Sequence, residues 1–319
     1  MRAVFLRLVF GLALFPASGM ACEFCLLSQG ISPLQTLNGA GLRINHRYSL
    51  LDEVYAGSRE VPNAGAAERF WTTEVTGFYG MTDNFLLMAT LPIRQTEGIG
   101  EVGSGPDGDA EFEDARGGAS DVGDLSLLGR YTFFKHHTLA STTLLALTAG
   151  VKLPSGSTDS RGDSGDYLDA HLQTGTGSTD FLVGLSASHA LGRFNVSANL
   201  LAAIPGEGEF GTTSHEFGES MNYDLTAKYR VLPQTPGASP VQCFVSLGLN
   251  GEWRAQEAEE GASVGDSGGH VLYLTPGVQV VLGAHWIVEA SFQQAVQHEL
   301  DGVQLGETYK ISGGVTYLF

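Results

Sequence analysis

Met221-Asn222-Tyr223-Asp224-Leu225-Thr226-Ala227-Lys228-Tyr229-Arg230-Val231 is the stretch that decides the fold. Its odd positions are Met, Tyr, Leu, Ala, Tyr and Val; its even positions are Asn, Asp, Thr, Lys and Arg. Side chains of an extended chain point alternately to opposite faces, so period two means one apolar and one polar face. A strand of about this length spans a bilayer when tilted. Phe194 to Leu200 alternates in the same way. In Trp286 to Phe292, Trp286, Val288, Ala290 and Phe292 face one side and Glu289 and Ser291 the other.

Reading outward, about twelve such segments follow one another: 40–51, 68–80, 84–95, 122–134, 138–152, 179–190, 193–204, 220–232, 240–254, 270–283, 285–297 and 307–319. Their connections alternate in length. Gly80 to Asp83, Lys135 to His137, Leu191-Gly192 and Gly283-Ala284 are short, and Pro233 to Ser239 is somewhat longer. Between them lie long Gly, Asp and Ser stretches at 52–67, 96–121, 153–178, 205–219, 255–269 and 298–306. Outer-membrane barrels put short turns in the periplasm and long loops outside, and an even strand number returns both ends to the periplasm. The last segment alternates through Tyr309, Ile311, Gly313, Val315 and Tyr317 to a terminal Phe319, an aromatic ending suited to the membrane interface. The fold class expected is therefore all-β: a closed antiparallel outer-membrane β-barrel occupying 39–319. A secreted β-sandwich also alternates and is the competing architecture.

Composition agrees. The chain has 319 residues, 43 of them Gly, with 43% hydrophobic and 16% charged residues and a net charge of −18. That is too apolar for a disordered chain and too acidic for a general nucleic-acid binder. No run of eighteen apolar residues occurs beyond the N-terminus, so no transmembrane helix is expected. Residues 1–21 read as a cleaved signal peptide: Arg2 and Arg7, the apolar Leu8 to Phe15, and Gly19-Met20-Ala21 with small residues at the cleavage positions. Cleavage leaves 15 basic against 35 acidic side chains. Cys22 then comes first. Lipidation there is one reading, although Gly19 stands where a lipobox has Leu.

Several stretches resemble a known family. They are Val122 to Phe134 (VGDLSLLGRYTFF), Ala149 to Asp159 (AGVKLPSGSTD) and Gly175 to Ser188 (GTGSTDFLVGLSAS). The most specific pieces are the Lys152-Leu153-Pro154-Ser155-Gly156 turn and the Gly175-Thr176-Gly177-Ser178 lead into the next strand. These are similar to the outer-membrane transporter-like family named for a meta-pathway of phenol degradation. The resemblance implies a β-barrel and a role in passing small molecules, aromatic ones among them. It carries over no catalytic residue.

Assigning each strand's polar face to the lumen gives inward bases at Arg43, Arg47, Arg94, Arg130, Lys152, Arg193, Lys228, Arg230, Arg254 and Lys310. Inward acids are Glu74, Asp124, Asp224, Glu252 and Glu289. Ten bases against five acids in a low-dielectric wall would favour small organic anions. Alternatively, the charges pair and fill a narrow lumen. The acidic Asp107-Gly108-Asp109-Ala110-Glu111 alternates oxygen ligands as a calcium site can, yet a solvated loop explains it as well.

Cys22 and Cys25 form a Cys-x-x-Cys in the 22–38 segment, which reads as a short plug or a tether. A disulfide is one reading and a soft-metal site, completed by His136 and His137, another. Cys243 falls on an apolar, lipid-facing row. Asp169 with His171, and Ser214 with His215, are fragments of hydrolase sites, but neither supplies nucleophile, base and orienting group together. The expectation is thus a channel rather than an enzyme. It would need no cofactor, and its partners would be outer-membrane lipid and lipopolysaccharide, the barrel assembly machinery and a small-molecule solute.

Overall fold

The computed structural model describes residues 39–105, 109–211, 213–234 and 239–319. The expected signal peptide, the 22–38 segment with Cys22 and Cys25, and Asp107-Gly108 lie outside the described residues.

Twelve long strands make the barrel: β1 (Ala40–Ala56), β2 (Ala67–Gly80), β3 (Phe85–Ser104), β4 (Leu125–His137), β5 (Ser141–Leu153), β6 (Asp180–Leu191), β7 (Phe194–Ile204), β8 (Ser220–Leu232), β9 (Val241–Arg254), β10 (Gly269–Leu282), β11 (Trp286–Leu300) and β12 (Val303–Leu318). Each pairs antiparallel with its neighbours, and β12 returns to β1 from Gly41↔Leu318 through Ala56↔Val303. Closure leaves no open strand edge, which is the condition for a sheet in lipid. At the short-turn end the β6–β7 connection is tight because Gly192 takes φ +60°, a left-handed conformation costly for any other residue. The start of β1 and the end of β12 meet there too: the Phe319 amide donates to the Ala40 carbonyl at 3.0 Å.

The two faces of the wall are inverted relative to a soluble protein. Along β1, Arg43, Asn45, Arg47 and Ser49 are buried while Leu42 and Ile44 are 39% and 47% exposed. Leu247, Leu249, Ile311 and Val315 are exposed as well. A sandwich would bury those aliphatics against its second sheet, whereas a barrel turns them to lipid. Aromatics ring both rims. At the short-turn end Trp286 and Phe319 lie 4.6 and 5.4 Å from Tyr317, and at the loop end Tyr48 lies 5.4 Å from Trp71.

Five expected loops are partly strand. The 298–306 stretch is a tight turn at Asp301-Gly302 between β11 and β12. In 96–121, β3 continues to Ser104 and folds back as Ala110–Gly117. In 52–67, β1 runs on to Ala56 and pairs with Arg59–Val61. Here backbone pairing continues past the residues whose hydrophobicity alternates. A separate four-stranded sheet, Glu207–Phe210, Thr213–Glu216, Ala258–Glu259 and Ala262–Ser263, forms from the loops after β7 and β9. Asp266 ties this end together, accepting from Ser104 N at 2.7 Å and Val303 N at 2.9 Å.

Candidate solute pathway

Among the described residues the lumen holds two separate cavities. A cavity of about 540 Å³ extends from Arg43, Thr76 and Met88 inside the barrel to Glu257, Glu259 and Asp266 among the loops. A second, small polar void of about 30 Å³ lies by Asn45, Lys228, Gln279 and Glu289. Between and around them the lumen is filled by paired side chains.

Most of the expected pore-lining residues do face inward, held in ion pairs or side-chain hydrogen bonds. Arg43 meets Glu289 at 2.5 Å. Lys310 meets Glu252 at 2.7 Å and Glu307 at 2.8 Å, with the Tyr273 ring beneath its ammonium. Lys152 meets Asp180 at 2.6 Å and Asp124 at 3.7 Å. Lys228 donates to Gln279, which donates to Glu289. Asp224 accepts from Asn199 at 2.7 Å, and Arg130 donates to Ser186 at 3.0 Å. Arg47 and Glu74 are buried and line the cavity. Removing both charges from water is tolerable only because each finds a partner at hydrogen-bond distance.

One expected position differs. Arg193 leaves the lumen: its guanidinium sits 4.6 Å over the outward Tyr229 ring and donates to the Arg230 and Val231 carbonyls. At a two-residue turn the alternation that assigned it inward no longer holds. Arg230 is half-buried near the same end. Arg254 sits at the loop end, 3.5 Å from Glu257, and lines the cavity as expected. The charge balance also changes. The whole cavity is lined by ten Asp and Glu against five Lys and Arg. The strand faces alone suggested a basic excess; acids at strand tops and in loops, including Glu68, Glu101, Asp169, Glu259 and Glu307, reverse it.

The loop between β5 and β6 turns into the barrel and narrows it. Gln173, Thr174 and Ser178 are buried completely or nearly so. Thr96 donates to the Leu172 carbonyl at 2.6 Å and Arg94 to the Gln173 carbonyl at 3.0 Å. Leu168 and Leu172 join a core with Leu51, Val54, Phe70 and Leu305. Both ends of this loop are fixed by one carboxylate: Asp124 accepts from Gly156 N at 2.9 Å, Thr176 N at 2.8 Å and the Thr176 hydroxyl at 2.7 Å. Gly156 and Gly175 lie backbone to backbone, where a Cβ on Gly156 would sit 2.5 Å from Gly175 Cα. The Lys-Leu-Pro-Ser-Gly turn and the Gly-Thr-Gly-Ser lead are therefore the two halves of one loop anchor.

That anchor is the part of the sequence that resembled a family, and a family model described as "Putative MetA-pathway of phenol degradation" matches residues 63–318. The chain belongs to this family. No curated protein matches the chain. Among solved structures, an outer-membrane channel from Pseudomonas putida F1 overlays with a TM-score of 0.66 at 17% identity, covering 89% of this chain and 96% of that one. The β domain of the Bordetella autotransporter BrkA gives 0.45 at 12% identity, covering 88% and 100%. The CymD monoaromatic hydrocarbon channel gives 0.43 at 12%, covering 89% and 90%. The family member thus shares the closed β-barrel fold of that outer-membrane channel.

Two histidines of the loop end settle into carboxylate pairs. His171 Nε2 lies 2.7 Å from Glu68, not against Asp169. Burial works against the charged ring, but Glu68 outweighs it, with Asp169 and Glu257 adding, and raises the pKa to about 10. His215 lies 3.1 Å from Glu257. Burial would raise the Glu257 carboxyl; the His215 hydrogen bond and Arg254 overcome this and hold it below its ordinary value. Ser214 bonds Glu207 rather than a histidine. Neither hydrolase fragment assembles. His136 and His137 are exposed at the β4–β5 turn, Cys243 is half-buried on the outward row, and no group of three or more metal-ligating side chains occurs among the described residues.

Sequence reasoning missed Glu68, Asp180 and the buried run Gln173 to Ser178. Only the Gly pair in the motif signalled a fixed loop.

Proposed function

We propose that this barrel is a channel for small organic solutes, which enter between the outer loops, occupy the 540 Å³ cavity and leave at the short-turn end. The observation that carries the reading is that cavity. It is continuous from the loops into the barrel, and it mixes hydrogen-bonding groups with apolar side chains such as Phe70, Met88, Leu128 and Phe210. Sites for small molecules combine apolar walls with a few placed polar groups. The inward β5–β6 loop supports selectivity, because Leu168, Ala170, His171 and Thr176 of that loop form part of the cavity lining.

The test is swelling of liposomes bearing the refolded protein, in a series of net-neutral solutes of rising size. Swelling with the small members and a size cut-off supports a channel. A folded barrel that admits none of them removes the reading in favour of a closed structural barrel.

A second reading is passage of small organic anions. The clustering of Arg43, Arg47, Arg94 and Lys152 on the cavity favours it, and the acidic lining opposes it. The reversal potential under a salt gradient distinguishes the two, since an anion route shifts it toward the anion's equilibrium value.

A further inference from the structure

The inner wall is two-faced. One row of directly paired cross-strand neighbours runs through six consecutive strands: Phe78, Met88, Leu128, Gly150, Leu182, Ala203. All but Gly150 are buried apolar side chains that share a single cluster with Leu86. Gly150 lacks a side chain because a Cβ would meet the Leu127 carbonyl and lie 2.7 Å from Leu128 Cδ2, so Leu128 covers its place. The adjacent inward row is fully polar: Thr76, Thr90, Ser126, Lys152, Asp180. The opposite wall carries Lys228, Glu252, Gln279, Glu289 and Lys310, all engaged with one another or with their neighbours.

Strand parity makes the placement informative. These residues share the inward face with Arg and Asp side chains, so lipid does not account for their being apolar. Nor is the row a sealed core throughout, because Met88, Leu128 and Ala203 line the cavity. Phe78 and Leu182 continue the row out of the cavity, with Leu86 packed beside them. Barrel strands tilt, so a register row rises obliquely along the wall rather than ringing it.

We propose that this row is the selectivity element of the pathway: an apolar track that receives the apolar face of a solute without net charge and opposes hydrated ions. Apolar constrictions exclude ions because water held there is unstable. The inference rests on the channel reading above and gives it a substrate class, namely small organic molecules with one apolar end or face.

The experiment compares leucine with serine in proteoliposome swelling, and measures single-channel conductance in KCl. Both amino acids carry no net charge, and serine is the smaller, so size alone makes serine faster. Wild-type protein is expected to admit leucine faster than serine. Met88→Gln with Leu128→Asn is expected to lower the leucine-to-serine ratio about tenfold, since apolar contact is lost at two side chains. The same variant is expected to raise the KCl conductance several-fold. Leu128→Met, which conserves volume and polarity, keeps the wild-type ratio and shows that the effect is not one of packing. Heat-modifiable migration in detergent gels checks that each variant is folded. Serine faster than leucine in the wild type, or an unchanged ratio in the folded double variant, overturns the track. Absence of swelling in either solute overturns the channel reading itself, and the track with it.

Discussion

Asp124→Ala should release the β5–β6 loop from the barrel interior without dissolving the barrel. The Asp124 carboxylate is almost fully buried and accepts three hydrogen bonds, at 2.9, 2.8 and 2.7 Å, from residues at both ends of that loop. Hydrogen bonds to a charged group contribute ~1.5–3 kcal/mol each, and such bonds at one centre do not add fully. Lys152 keeps Asp180 at 2.6 Å, so it is not stranded. The expected cost is therefore about 3 kcal/mol, at the lower end of the ~3–5 kcal/mol for breaking a buried charged pair. That raises the detached population by about two orders of magnitude. Hydrogen exchange read by mass spectrometry should show the Gly156 and Thr176 amides about a hundredfold faster, with amides of β9 and β10 unchanged. Asp124→Asn retains one acceptor and should lie between. Unchanged exchange at Gly156 and Thr176 in a folded Asp124→Ala protein would refute the anchoring role.

The same anchor can be broken by volume. In Gly156→Ala the new Cβ meets the Gly175 backbone at 2.5 Å, which cannot yield as a side chain would, and overpacking should cost ~1–3 kcal/mol, read as a lowered thermal midpoint. His171 supplies a pH dependence. Its folded pKa of about 10 lies above the unfolded value of about 6.5, so its contribution is complete below about 6.5 and disappears as pH rises through about 10. The midpoint measured across that range should fall less in His171→Gln than in the wild type, and an identical fall would exclude the Glu68 pair as its source. Lys310→Met leaves Glu252 and Glu307 facing each other without their shared cation. It should destabilise by ~3–5 kcal/mol, seen as a lower temperature for the shift in gel mobility.

Barrel architecture was legible because lipid imposes it on each strand separately. A run such as Met221 to Val231 declares its two faces with no knowledge of its partners, and the short turns declare their end of the barrel. Strand ends beyond the membrane were not legible for the same reason. Past about Thr96 the alternation of buried and exposed residues in β3 weakens while backbone pairing continues to Ser104. Arg193 failed at the opposite boundary, where a turn lets a long side chain swing outward onto Tyr229.

The lumen was readable only in part, and the missing part has a physical cause. Parity assigns a side chain to the inside but does not say what it meets there. Arg43 finds Glu289, and Lys310 finds Glu252, at separations of hundreds or tens of residues that no local pattern encodes. The inward loop was the hardest to see. Gln173, Thr174, Thr176 and Ser178 are polar, and polar runs between strands read as solvated. Their burial follows from donors supplied by Arg94 and Thr96 on β3 and an acceptor supplied by Asp124 just before β4. The apolar row did leave a trace: Phe78-Tyr79, Leu86-Leu87-Met88, Leu127-Leu128 and Phe181-Leu182-Val183 are places where both faces turn apolar at once. In a water-filled barrel such doubling has no use, because one face of each pair meets lipid and the other should meet water. Six neighbouring strands doubling, or yielding to Gly, in a single register row is a property of the assembled wall, and it ties the apolar breaks in the sequence to the selectivity of the lumen.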